Sequence, residues 1–208
     1  MLHSRAIAGV LICACLLIGN RAATAQNKPH LDIDRRLPIN LEATSSQFDG
    51  VNNQLSFQNV LITQGVMSVR AERGTVARLD FENSRWQFEG NVVLESQGAK
   101  VSGDSAELQF VGHELRSAVL RGVPAQFEQP RPGDTLARGR ARVMDYDVST
   151  ATIRLSGDAW LSDGANEVTG ERISYDIVRE YVTADSDGKG GIRMKIKPPQ
   201  DREAVTKP

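Results

Sequence analysis

Few side chains in this sequence stand at spacings that chemistry requires. His30 and His113 are the only histidines past residue 25, and neither has a second His or Cys at metal-ligand spacing. A Ser-His-Asp relay would have only the His of the Gly112-His113-Glu114 turn to draw on. Gly-x-Ser-x-Gly, Walker and Rossmann strings are absent. Asp145 and Asp147 could form an acid/base pair, but carboxylates at a strand end more often cap turns. Arg138, Arg140 and Arg142 alternate along one segment and so project from one face of a strand. Such a stripe is either a solvated outer face that keeps an edge from sticking or a set of phosphate contacts for a ligand or acidic partner. The sequence therefore predicts no catalytic residue, no metal, no cofactor and no enzyme activity.

The elements that carry these residues follow from a repeat. Trp86 to Leu108 recurs in outline 67 positions later as Ile153 to Tyr175, and a looser copy lies at Leu55 to Val76. Each copy reads as a strand, a Gly-centred step and a second strand, so the chain is a repetitive β-scaffold. Turn residues recur about every ten positions, the spacing of an antiparallel sandwich or barrel. Helical spacing of apolar residues over eleven or more positions is absent, which disfavours α/β folds. Aligning the copies pairs Gly90 with Gly157 and Asn91 with Asp158. By alternation Phe88, Val92 and Leu94 share one wall, matched by Leu155, Ala159 and Leu161. Parity changes between Gly103 and Ala106, and between Gly170 and Ile173, predict bulges that curl the sheet around its apolar face. The same counting places Trp86 and Trp160 opposite the apolar wall, on the outer face.

Residues 1–25 have a basic start at Arg5, a short apolar run and Ala23-Thr24-Ala25, the pattern of a signal peptide cleaved after Ala25. Both cysteines, Cys13 and Cys15, fall in that segment, so the exported domain relies on its core alone. Removing Arg5 and Arg21 takes the 25 basic side chains to 23 against 26 acidic, a formal charge of −3, which argues against a nucleic-acid binder. Residues 26–36 read as a flexible leader, 37–197 as one β-domain, and 198–208 as a disordered tail. The Pro130 to Asp134 run is expected to be a loop within that domain. Ile192, Met194 and Ile196 alternate with Arg193, Lys195 and Lys197 in a two-faced strand. The apolar wall has two readings: a closed core, or an open trough for acyl chains, to which 5% aromatic content and many small inward residues lean.

The ordered strings Leu37-Pro-Ile-Asn-Leu-Glu42, Gly90-Asn-Val-Val-Leu94, Gly139-Arg-Ala-Arg-Val-Met-Asp-Tyr146, Leu155-Ser-Gly-Asp-Ala-Trp-Leu161 and Gly170-Glu-Arg-Ile-Ser-Tyr175 resemble the LptA family of periplasmic lipopolysaccharide-transport proteins with an OstA-like domain. The resemblance spans roughly Leu37 to Met194. It implies an all-β fold, a twisted antiparallel β-jellyroll open at both ends with an apolar interior groove. It also implies a bridge that takes lipopolysaccharide from an LptC-like inner-membrane protein to an LptD-like outer-membrane protein, through head-to-tail copies joined edge to edge. The family's lipid-contacting positions match Ile39, Leu41, Phe127 and Leu155. Parity extends the groove to Phe57, Val60, Ile62, Phe88, Val92, Leu94, Leu108, Met144, Leu161 and Ile173. A relative of the LptC kind would keep its anchor and one of the LptD kind a large barrel; this sequence is expected to have neither. The competing reading is a secreted β-jellyroll that binds or hydrolyses polysaccharide, which calls for exposed aromatics.

Overall fold

A computed structural model describes residues 37–77, 82–96, 98–112, 114–131, 135–176, 179, 181–186, 188 and 190–197. The expected signal peptide (1–25), leader (26–36) and tail (198–208), with His30, His113 and Pro132 to Asp134, lie outside the described residues. Alternating apolar residues and frequent turn residues produce strands β1 (Asn40–Glu42), β2 (Ser45–Asp49), β3 (Gln54–Gln64), β4 (Met67–Val76), β5 (Arg85–Ser96) and β6 (Ala99–Val111). They continue as β7 (Glu114–Arg131), β8 (Thr135–Asp147), β9 (Thr152–Ser162), β10 (Glu167–Asp176), β11 (Tyr181–Asp185) and β12 (Arg193–Lys195). No helix occurs among the described residues.

All twelve strands belong to one antiparallel sheet in which β3 to β11 follow one another as neighbours. The expected open jellyroll is thus a rolled meander. Each edge is covered by two short strands, β1 and β2 on β3, and β11 and β12 on β10. Pro130 and Arg131, expected in a loop, instead belong to β7, where they pair with Leu136 and Thr135 of β8.

A band of irregular pairing crosses the strands near their middles. Register shifts fall at Arg70/Arg73, Glu89/Val92, Ser102/Ser105, Arg121/Ala125, Arg140/Val143 and Gly170/Arg172. The Gly103 and Gly170 bends expected from parity are two of these. In the two strong repeats the extra residues are consecutive left-handed ones: φ is 77° and 45° at Gly90 and Asn91, 80° and 53° at Gly157 and Asp158. Only Gly takes that conformation freely, and Asn and Asp tolerate it best among the rest. The repeated Gly-Asn/Gly-Asp pair is therefore a bulge written twice.

Burial explains what the bends do. Val60, Trp86, Val92, Ala125 and Leu155 have no measurable exposure. One face of a single sheet reaches that state only under a cover, and no helix or second sheet is present among the described residues. The sheet covers itself, its two halves folding together about the band of bulges.

Candidate functional site

Cross-strand register arranges the inward side chains in rows that run perpendicular to the strands. One row starts at Leu41 on β1 and passes through Ile62, Val69, Leu94, Val101, Phe127, Gly139, Leu161 and Val168 to Met194 on β12. Beyond the bulges, the opposing half carries Phe57, Gly74, Phe88, Ala106, Leu120, Met144, Leu155 and Ile173, ending at Ala184 on β11. A further row on that half runs from Phe48 and Leu55 through Trp86 and Leu108 to Tyr175 and Val182. Both halves of the interior are thus apolar from one sheet edge to the other.

The residues expected to line a groove fall on these rows. Phe57, Val60, Ile62, Phe88, Val92, Leu108, Phe127, Met144, Leu155, Leu161 and Ile173 are buried in one contiguous cluster, with Leu41 and Leu94 half-buried against it. Ile39 stands apart at the N-terminal edge, exposed. The interior is closely packed. Gly139 shows how tightly: a Cβ there would sit 2.1 Å from the Phe127 ring, which occupies the glycine's vacant side.

Two expectations about position are corrected. Trp86 does not lie on the outer face; it is fully buried, stacked between Phe57 (centroids 6.1 Å apart) and Phe88 (5.9 Å). Because it stands two residues before Phe88, alternation itself puts both on one face. The strand around Met194 is shorter than expected and both its faces are open, with Met194 67% and Ile196 70% exposed. Met194 continues the inward row past the last covered strand, so none of the described residues covers it.

Arg138, Arg140 and Arg142 do share the outer face, and each has a neighbour there. Arg138 Nε lies 3.1 Å from Glu128 Oε1, Arg142 Nε 3.5 Å from Asp158 Oδ2, and the Arg140 guanidinium 5.1 Å from the Trp160 ring centre. Trp160, half-buried, also directs its Nε1 toward Glu167 at 3.4 Å. The arginines and the interior therefore lie on opposite faces of β8.

Asp49, Asp147 and Asp163 serve as turn caps rather than acid/base groups. The Asn52 side chain and backbone N–H groups hold the Asp49 carboxyl below the usual range. The Ser149 hydroxyl, 2.6 Å away, does the same for Asp147, aided by the Thr150 and Ser149 N–H groups. Burial pushes Asp163 upward, but the Asn166 backbone and side chain outweigh it and the net shift is down. A depressed folded-state value means stability that is present above the unfolded carboxylate pKa and lost as pH falls through the folded one. Unfolding midpoints should stay level from pH 7 to about 5 and fall below about pH 4. Asp147→Asn should flatten part of that fall in a pH series of denaturant melts.

No group of three or more His, Cys, Asp or Glu could hold a metal among the described residues. Fold and site together define an all-β scaffold, an edge-open sheet rolled around an apolar interior. Residues 74–181, more than half of the chain, match the family model described as LptA/(LptD N-terminal domain) LPS transport protein, and the chain belongs to that family. Its members are lipopolysaccharide-transport proteins, not enzymes. Among its relatives, lipopolysaccharide export system protein LptA of Haemophilus influenzae is 23% identical over 95% of this chain and 96% of its own length. LptA of Escherichia coli K12 is 26% identical over 59% of this chain and 67% of its own. The crystal structure of LptH, described as the LptA-homologous periplasmic component of the Pseudomonas aeruginosa transport device, aligns at 21% identity with a TM-score of 0.42, covering 80% of this chain and all of that one.

Proposed function

We propose that this protein is a periplasmic carrier that holds the acyl chains of lipopolysaccharide between the two halves of its sheet and passes the molecule from an LptC-like protein at the inner membrane to an LptD-like protein at the outer membrane. The observation that carries this reading is the pair of apolar half-interiors that run unbroken from β1 or β2 to β11 or β12. Both ends leave apolar side chains uncovered: Ile39 and Phe48 at one edge, Val182 and Met194 at the other. A copy or partner that adds its strand to either edge would extend the sheet and the rows together. Acyl chains enter by parting the packed halves about the bulges, and each Å² of apolar surface they hide contributes about 25 cal/mol. Ile39, Leu41, Phe57, Val60, Ile62, Phe88, Val92, Leu94, Leu108, Phe127, Met144, Leu155, Leu161 and Ile173 are assigned to this path. Arg138, Arg140 and Arg142 are assigned to the outer face, where any phosphate contact they make would lie outside the acyl-chain path. A polysaccharide-binding role is disfavoured because Trp86 is buried and the Trp160 ring lies under Arg140.

The test is photocrosslinking to lipopolysaccharide from probes at Ile39, Phe127 and Leu155, with Arg193 as the outward control. Adducts from the first three and not from Arg193 are expected. Equal yields from all four positions would refute an interior path.

A further inference from the structure

The outer face carries one row unlike its neighbours. It crosses the sheet from Arg70 on β4 through Gln126, Arg140, Trp160 and Thr169 to Arg193 on β12, and no carboxylate stands in it. The rows on either side mix signs. Glu128 meets Arg138 and Glu167 lies 3.6 Å from Lys195 on one side, and Asp158 meets Arg142 on the other. Among the described residues, no carboxylate pairs with Arg140 or Arg193.

Packing prepares this row for an anion. The Arg140 guanidinium lies over the Trp160 ring, where it is partly shielded from water while its N–H donors stay at the periphery. The indole is itself anchored: its Nε1 donates to Glu167, whose second oxygen faces Lys195. Thr169 Oγ1 donates to the Arg193 carbonyl at 3.5 Å. Arg140 and Arg193 are exposed, and Trp160 and Thr169 between them are half-buried, so two cations bracket a lower floor of ring and hydroxyl. The two arginines stand three strand spacings apart, about 14 Å, the length of about four residues of extended chain. Residues four apart in such a chain project to the same side. We propose that this row is a docking strip for an extended acidic segment of a partner protein, its carboxylates at positions i and i+4 on Arg140 and Arg193 and an apolar residue between them against Trp160. A flat anionic membrane would press on Glu128, Asp158 and Glu167 together with the arginines, whereas a single chain lying along the row clears them. The strip faces away from the interior, so the proposal does not rest on the transport reading.

The experiment uses the full chain and a fluorescent peptide carrying Glu at every fourth position with Leu midway, compared with the same peptide carrying Gln, read by anisotropy at physiological salt. Wild type is expected to bind the Glu peptide about tenfold more tightly than the Gln peptide. Arg140→Gln with Arg193→Gln should weaken the Glu peptide about tenfold, whereas Arg138→Gln with Arg142→Gln, the same loss of charge beside the row, should change it less than about threefold. All four positions are exposed, so thermal midpoints should not separate the variants. Equal losses from the two pairs, or no preference for Glu over Gln, overturns the strip. Vesicles of phosphatidylcholine and phosphatidylglycerol are the second arm. Sedimentation of wild type with them, but not of the Arg140→Gln, Arg193→Gln variant, would assign the row to a membrane surface and overturn a protein partner.

Discussion

Trp86→Ala should lower the free energy of unfolding by about 3–5 kcal/mol, the range for truncating a large buried aromatic. The indole has no exposure and sits flat between Phe57 and Phe88, at interplanar angles of 18° and 11°. The β4 residue paired with Trp86 is Val76, buried and too small to fill the space of an indole. The cavity can therefore close only in part from that side, so the loss should fall toward the upper end of the range. Trp160→Ala is the internal comparison. That ring is half-buried on the outer face, and its contact with Arg140 contributes about 0.5–1 kcal/mol. Denaturant melts of both variants should separate them by more than 2 kcal/mol, roughly the gap between those two ranges. Equal losses would mean that the stacked trio does not anchor the interior.

The repeat made much of this legible. Gly90-Asn91 and Gly157-Asp158 announce a bulge because few residues other than Gly, Asn and Asp accept two left-handed positions in succession. The parity breaks after Gly103 and Gly170 marked two members of the band, for alternation cannot change phase without an extra residue. The other members are less visible. At Arg70/Arg73 and Arg140/Val143 the extra residue belongs to the neighbouring strand, at Gly90-Asn91 and Gly157-Asp158, and the stretches that face it, with Glu72 and Arg142 against those glycines, carry no turn signal of their own. Trp86 was within reach of the same alternation, its size and polar tip notwithstanding. Closure of the interior was not legible, since an apolar alternation reads the same whether the far wall is protein or ligand. The brevity of β12 also follows from tertiary context. Its sequence alternates through Lys197, but it finds a partner only along Glu167 to Thr169, because β11 already occupies the rest of β10.

Met194→Asp with Ile196→Asp should weaken self-association at least tenfold, roughly 1.4 kcal/mol or more, while leaving the thermal midpoint nearly unchanged. Both side chains are mostly exposed in the isolated molecule, so neither stabilises its fold appreciably. Met194 is nevertheless the last residue of an inward row, and a copy that pairs beyond β12 would have to bury it. A carboxylate at that point would be desolvated without a partner, which disfavours the contact far more than loss of a methyl group does. Ile39→Asp should act alike at the opposite edge, where Ile39 precedes β1. The two variants together test the kind of interface. In a head-to-tail contact each damaged copy keeps one sound edge, so either variant alone is monomeric and an equal mixture stops at dimers. In a contact between like edges one variant would still associate by itself, and the mixture would gain nothing. Sedimentation of each variant and of the mixture distinguishes these outcomes. A mixture that remains monomeric would remove edge-to-edge growth from the proposed bridge.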